Sequence, residues 1–391
     1  MGQTPSAAVL ARICAAAWGR APETEARLKR AGFAPGHWPD RDGLAAIAVL
    51  DKSALAARQL AAPPLGGLDA APPGALFLST GGTMEPDLPE AEQRLADFMQ
   101  ASGLAAGDVV LNGFSYHLTP AGLLFHAALR RLGCRVLPVG PQNTDAALEL
   151  AQRAGATGFV GITGHLAHLL ARAAESGITL KLRLAFAGGE PFGGPIRAEL
   201  AARHGIVCHD FYGTADVGIV AGGAGADGLP LFRDVVAEIL DPETSQRLPD
   251  GETGQLVLSV ANAGYPMLRL GTGDLAALMP GPPPRLLGPF GRVDASARVR
   301  GLLLHEPAMR AALAAHPAIR AGWAEITRDR GRDEITVLLD LAPNSDRAAA
   351  EAAFRARFLA LCRLTPDHVA PAPPNGVAGP VIRDRRRETA A

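Results

Sequence analysis

Between Leu184 and Gly218 the chain reads LAFAGGEPFGGPIRAELAARHGIVCHDFYGTADVG, and few folds accommodate that order of residues. An apolar run, Leu184–Ala187, stops at Gly188, Gly189 and Glu190. The segment Pro195–His204 then sets Ile196, Leu200 and Ala201 on one face at helical spacing. A second apolar run, Ile206–Cys208, leads into a polar turn, His209–Asp216. Strand, glycine-rich turn, helix, strand and polar turn form a βαβ unit, the building block of parallel sheets covered by helices. Ligands of such sheets gather outside the carboxyl ends of the strands. Both turns are therefore expected to border one pocket, and their residues suit a nucleotide.

The flanking sequence extends this pattern. Leu76–Leu78 reads as a strand that halts at Ser79, Thr80, Gly81, Gly82 and Thr83. Small hydroxyl residues and glycines there allow close approach and offer N–H and O–H donors to phosphate oxygens, an ordinary polar turn being the alternative. Residues 90–181 alternate helices (90–102, 121–132, 144–154, 165–176) with strands at Val109–Leu111, Arg135–Val139 and Thr157–Gly161. The segment FSYHLTP puts Tyr116 and His117 just past a strand, and Thr163 and His165 follow another; these four are candidates for a substrate pocket. The first sixty residues read as helical, with one helix capped by Asp51 or Ser53. After Gly218, short strands at Val235–Leu240, Gly254–Val260 and Met267–Leu270 suggest a small β-rich lobe over 219–290, and PGPPPRLLGPF (280–290) reads as a proline-rich break. The last ninety residues give helix 307–315, strands 320–326 and 334–340, and helix 346–362. The expected fold class is α/β: a large N-terminal domain of doubly wound sheets (1–298) with the β-rich lobe, then a small α+β C-terminal domain (299–391).

Composition excludes several functions. A net charge of −1 over 391 residues gives no basic face for nucleic acid. Cys14, Cys134, Cys208 and Cys362 lie far apart without a C-x-x-C pair, so zinc sites and disulfides are not expected. Apolar runs are too short for a membrane span and no leader pattern opens the chain, which points to the cytoplasm.

With the motifs placed, their order resembles the phenylacetate–CoA ligase-like family of the adenylate-forming (AMP-binding) enzymes. STGGTMEP stands in the phosphate-loop place, AFAGGEP and HDFYGTADVG match the adenine and magnesium segments, and GRVDASARVRG looks like the hinge. EILDPETSQRLPDGETGQLVLS followed by YPMLRLGTGDLA is the most specific match. The resemblance implies an enzyme that activates a carboxylic acid, aromatic by kinship, with ATP, and passes the acyl group to CoA. A mobile C-terminal domain turning about Arg298–Gly301 and a homodimer are features common among relatives. By resemblance, Ser79, Thr80, Gly81, Gly82 and Thr83 would hold the phosphates. Gly188, Gly189, Glu190, His209, Asp210, Phe211, Tyr212, Gly213 and Thr214 would frame the adenine, Tyr212 by stacking. Asp216 would bind Mg2+, Asp274 the ribose hydroxyls, and Arg292 and Gly301 would lie close by. Catalysis is expected to rest on Asp216, Thr83 and Arg292.

Four departures point to impaired adenylation. Val377 stands where the family carries its C-terminal catalytic lysine, and no lysine follows Lys181. Arg383 and Arg385 offer charge there, but a planar fork is not a point-charge ammonium. Glu85 and Met84 replace the lysine and glycine of the phosphate loop, putting a negative charge near a triphosphate. Ala215 lacks a hydroxyl, and Asp216 is one methylene shorter than glutamate. Two alternatives therefore stay open: a non-catalytic nucleotide- or acyl-binding homologue, and a pathway scaffold.

Overall fold

The computed structural model describes residues 5–79, 82–189, 194–225, 227–300, 302–329, 332–373 and 380–386. Contacts divide the chain into two units. The first comprises Met1–Glu238, Val257–Thr272 and Leu278–Leu287; the second comprises Ile239–Leu256, Gly273–Ala277 and Gly288–Ala391.

The first unit opens with α1 (Pro5–Ala17), α2 (Pro22–Arg30) and α3 (Lys52–Ala61), then the hairpin β1 (Leu76–Leu78) and β2 (Met84–Pro86). Next come α4 (Pro89–Ala101), β3 (Val109–Asn112), α5 (Ala121–Arg131), β4 (Arg135–Leu137), α6 (Thr144–Ala154), β5 (Gly158–Gly161), α7 (Thr163–Glu175), β6 (Leu184–Ala187) and α8 (Gly194–His204). The strands β7 (Val207–Thr214) and β8 (Gly218–Gly223) complete a six-stranded sheet in the order β4–β3–β5–β6–β7–β8, parallel up to β7 and antiparallel at β8. Both faces of the sheet are buried, as the continuous apolar strands require. Leu111 and Phe159 pack with Leu148, Leu166 and Leu200 of α6, α7 and α8. Their neighbours Val110 and Val160 turn the other way, onto Leu95, Met99, Phe125 and Leu129 of α4 and α5.

A five-stranded sheet has the order β10 (Val235–Leu240), β11 (Gly254–Val260), β12 (Met267–Met279), β13 (Arg285–Arg292), β9 (Leu229–Pro230). In the second unit the hairpin β14 (Ser296–Val299) and β15 (Leu302–His305) precedes α9 (Glu306–Leu313). There β16 (Ile319–Asp329), β17 (Arg332–Leu341), α10 (Arg347–Cys362), β18 (His368–Pro371) and β19 (Ile382–Asp384) make a sheet ordered β18–β17–β16–β19. Phe354 and Phe358 of α10 fill its core against Ile326, Ile335 and Val337.

Three boundaries differ from the sequence reading. His209–Thr214 is strand rather than turn, because β8 folds back and pairs with it from Asp210 to Thr214. The strand begun at Met267 runs on to Met279. The proline-rich break ends at Arg285, where β13 begins. Its pairing with β9 covers only Arg285 and Leu286, so Pro289 forfeits no hydrogen bond on that side. All four cysteines are buried and free, and burial pushes Cys14 up to about 12 and Cys208 to about 11, consistent with their role as small core residues. Among the described residues no helix is long and apolar enough to cross a membrane.

Candidate active site

The loop between β1 and β2 closes on itself. Ser79 N–H donates to Thr83 O (2.9 Å) and Gly82 N–H to Ser79 O (3.0 Å). The two side-chain hydroxyls lie 2.8 Å apart, and Thr83 Oγ1 donates to Glu85 Oε1 at 2.9 Å. From α3, Gln59 clamps the start of β2, its Nε2 donating to Met84 O and its Oε1 accepting from Met84 N, both at 2.7 Å. Thr83 and Glu85 are buried, with Glu85 only 1% exposed. Burial pushes the Glu85 carboxyl above its ordinary value; the Thr83 and Ser79 hydroxyls oppose the shift and the Asp216 charge adds to it. Thr80 and Gly81 lie outside the described residues.

Asp216 occupies the turn from β7 to β8, and Arg94 of α4 holds that turn. The buried guanidinium donates to Val217 O (3.1 Å), Ile219 O (3.4 Å) and Asn262 Oδ1 (3.0 Å). Burial lowers Arg94 to about 10, so it stays charged at neutral pH. Gly218 has φ of +77°, and a Cβ there would sit 2.4 Å from Ala91 Cβ, so only glycine lets the chain turn this close to α4. The result drives Asp216 inward to full burial.

There it meets a cation that the sequence reading passed over. Lys52 Nζ forms an ion pair and hydrogen bond with Asp216 Oδ2. Lys52 is the first residue of α3, whose cap is Asp51: its carboxylate accepts from Ala54 N at 2.7 Å. The segment before it is fixed by Leu50, which donates to Arg269 O (2.8 Å) and accepts from Gly271 N (2.9 Å). Five buried side-chain oxygens lack a hydrogen-bond partner among the described residues, and Asp216 Oδ1, Glu85 Oε2 and Tyr265 Oη are three of them, with Thr214 Oγ1 and Thr24 Oγ1. The Tyr265 hydroxyl is pushed up first by burial, then by the charges of Asp216 and Glu85. The signal for Lys52 was its rarity, since Lys29, Lys52 and Lys181 are the only lysines among 38 Lys and Arg. Arg94, Gln59 and Tyr265 carried no signal short of the fold.

The residues expected around adenine divide in two. Gly188 ends β6 against the face of Phe211: a Cβ at Gly188 would lie 2.0 Å from Phe211 Cε2. Phe211 in turn packs on Phe125 (4.9 Å) and Phe114 (6.1 Å), inside the core. His209 likewise stacks on Phe186 at 5.2 Å, and burial lowers its pKa, leaving it neutral. Asp210 pairs with Arg197 of α8 at 2.5 Å. Tyr212, on the opposite face of β7 from Phe211, is also buried, while Gly189, Gly213 and Thr214 stay partly or fully accessible. Glu190 lies outside the described residues, as do Gly301 and Val377.

Tyr116 and His117 follow β3, and Thr163 and His165 open α7 after β5, the two strands between which the sheet order reverses. Asn112 organises the first loop, donating to Tyr116 Oη and Gly122 O at 2.8 Å each. Thr163 and His165 are buried, His165 edge-on to Phe159 at 5.7 Å, whereas His117 is exposed. In the second unit, Arg292 Nη1 donates to Asp274 Oδ1 at 3.0 Å. Asp274 lies within β12, not at a helix start. Arg383 covers the face of Trp323 at 4.1 Å, with Glu325 at 3.9 Å.

The AMP-binding enzyme family matches residues 95–264, a span that contains the turn bearing Asp216. Over that span the chain is similar to the AMP-binding enzymes. It is 29% identical to a phenylacetate–coenzyme A ligase of Aromatoleum evansii over 266 residues, 64% of this chain and 60% of that protein. It is 32% identical to the Pseudomonas putida enzyme of the same name over 222 residues, 53% and 50% of the two chains. The matched region thus spans between half and three-fifths of these curated relatives. Among solved structures, an open conformation of 2-hydroxyisobutyryl-CoA ligase, in complex with 2-HIB-AMP and CoA, superposes with a TM-score of 0.82. It is 22% identical, over 97% of this chain and 91% of that one. That likeness shows that the chain shares the fold of that ligase.

Proposed function

We propose that the chain is an AMP-forming acid–CoA ligase, whose acid is aromatic by kinship with the phenylacetate–CoA ligases. The observation that carries this reading is the pairing of Lys52 with a fully buried Asp216 on the turn after β7. Adenylation needs positive charge where the acid's carboxylate meets the α-phosphorus of ATP, because both reactants are anions. The carboxylate oxygen forms a bond to phosphorus, the bond to the β-phosphate bridge breaks, and pyrophosphate leaves. CoA sulfur then attacks the acyl carbonyl and AMP departs. In this reading Lys52 is the tethered cation, present even though the family's C-terminal lysine position holds Val377. The Ser79 and Thr83 hydroxyls border the phosphates.

A Mg2+ ion fits the residues present, since Asp216 Oδ1 is a buried carboxylate oxygen without a partner among the described residues. When bound, the ion would cancel charge on phosphate oxygens. The missing C-terminal lysine and the inward Glu85 support a slow adenylation step. Pyrophosphate release and AMP formation, measured with ATP, CoA and a panel of aryl and aliphatic acids, test the reading. Turnover lost in Lys52→Met supports it. AMP binding in calorimetry without turnover on any acid would replace it with the non-catalytic binder, and binding of neither ATP nor AMP with the scaffold.

A further inference from the structure

One face of α5, with Leu123, Leu124 and Ala127 at helical spacing, borders a cavity of about 270 Å³ in the first unit. Phe77 and Pro86 of the β1–β2 hairpin add a second apolar wall, and Thr214, Ala215 and Gly218 bring in the turn that carries Asp216. An apolar cavity of about 150 Å³ already accepts benzene, so this one has room for a substituted ring. Asp87 and Glu92 also border it. Asp87 Oδ1 accepts from Gly74 N and Ala75 N at 2.9 and 3.1 Å, and Glu92 pairs with Arg131 at 3.4 Å. Their charge repels a carboxylate, so an acid enters with its apolar end.

His126 also borders the cavity, and a chain of hydrogen bonds fixes which of its ring nitrogens carries the proton. Asn112 Oδ1 accepts from Phe114 N at 3.1 Å while its Nδ2 donates to Gly122 O at 2.8 Å, which settles the orientation of the amide. The same Nδ2 donates to Tyr116 Oη at 2.8 Å. The Tyr116 O–H is left to donate to His126 Nδ1, 3.2 Å away. Burial, with the charge of Arg130, lowers the His126 pKa and keeps the ring neutral. A neutral imidazole that accepts at Nδ1 carries its proton on Nε2. That Nε2–H has no partner among the described residues and lies on the far side of the ring from Tyr116. It is the donor that His126 offers to the cavity.

We propose that this cavity takes the ring of the acid, and that His126 selects acids whose ring carries a neutral hydrogen-bond acceptor such as an ether oxygen. This rests on the ligase reading above, since the cavity shares with that site the turn bearing Asp216. A ring that enters displaces water from the Nε2–H. Without an acceptor it leaves that donor unsatisfied, and with one it restores the hydrogen bond. Tyr116, expected to line a substrate pocket, acts here as a positioning residue behind His126. A second polar group borders the same cavity: Thr214, whose buried hydroxyl has no partner among the described residues.

The test compares 4-methoxyphenylacetate with 4-ethylphenylacetate, and the two 3-substituted isomers likewise, pairs in which a methylene replaces one oxygen. With ATP and CoA, the full-length protein should show kcat/KM about tenfold higher for the methoxy acid of at least one pair, the scale of one hydrogen bond. His126→Phe keeps a ring and removes the donor, so that preference should vanish; Tyr116→Phe should reduce it. If His126→Phe lowers both acids of a pair together and keeps their ratio, the residue is only structural and the proposal is overturned. Equal kcat/KM within both pairs in the wild type overturns it too. Ala127→Phe, which fills the cavity, should lower kcat/KM tenfold or more for all four acids, and unchanged values there are equally fatal. Spectra of 15N-histidine-labelled, nucleotide-free protein separate this result from the proposed function. His126 should read as the Nε2–H tautomer and shift with the preferred methoxy acid but not with its ethyl partner. That shift without turnover on any acid sinks the ligase reading alone, and turnover with neither the shift nor the preference sinks the His126 pocket alone.

Discussion

Replacing Lys52 by methionine separates its structural task from its chemical one. The substitution keeps the apolar stem of the side chain and removes the ammonium that pairs with Asp216, whose side chain is 1% exposed. Removing one partner of a buried pair costs about 3–5 kcal/mol, most of it from stranding the other charge. Lys52 is itself 34% exposed, so water relieves part of that cost and the lower end, about 3 kcal/mol, is expected. At about 2–4 °C per kcal/mol for a unit of this size, the melting temperature should drop by about 6–12 °C. Pyrophosphate release, read on protein still folded at the assay temperature, should fall by about 100-fold or more, the scale of losing one preorganised electrostatic contact. The decisive measurement is the double variant Lys52→Met/Asp216→Asn. With no stranded charge, its melting temperature should return to within about 3 °C of wild type. Turnover should stay low. If the double variant melts as low as the single, the pair is not what holds this turn; if Lys52→Met keeps turnover within twofold, the ammonium does not act on the reaction.

Three other changes follow from single contacts. Burial raises the folded-state pKa of Glu85, so its protonated form contributes stability that is complete below the ordinary value of 4.5 and lost as pH rises through the folded value. In chelator, Glu85→Gln should therefore gain melting temperature over wild type between pH 4.5 and neutrality, and lose that advantage at lower pH; a pH-independent difference would refute it. Gly188→Ala places a methyl 2.0 Å from Phe211 Cε2 and should cost about 3 kcal/mol in urea unfolding, with partial recovery when Phe211 is shortened to leucine. Arg269 pairs with Glu238 through two bonds (2.9 and 3.2 Å) and caps the carbonyls of Leu44 and Ile47, so Arg269→Met should lower stability by about 3–5 kcal/mol. Adding Glu238→Gln should restore part of it in the same urea titration.

How far the sequence led depends on the range of the interaction involved. Leu184–Ala187, Gly194–His204 and the alternation of helices with strands from 90 to 181 follow from local periodicity and glycine placement, and these elements appear where periodicity sets them. The strand character of His209–Thr214 was hidden because it depends on β8 returning to pair with it, a contact that no polar hexapeptide announces. The same limit applied at the site. Ser79, Thr83 and Asp216 could be named from a strand end and a motif. Their settings came from residues more than a hundred positions away in the case of Arg94 and Lys52. Phe211 and His209, expected around the adenine, pack beside Gly188 and Phe186 in the sheet.

Position 52 carries a lysine in a chain that uses arginine almost everywhere else, and the two cations differ there in geometry. A guanidinium presents a planar fork and tends to engage both oxygens of a carboxylate, as Arg269 does with Glu238. At Asp216 that arrangement would occupy Oδ1 as well as Oδ2, leaving neither carboxylate oxygen open. A compact ammonium neutralises Asp216 through Oδ2 alone and leaves Oδ1 open. Elsewhere the cations are almost all arginine, and most surface ion pairs contribute little to stability. At the mouth of α3 the same exchange would alter which oxygens remain available, and that is a matter of chemistry rather than charge.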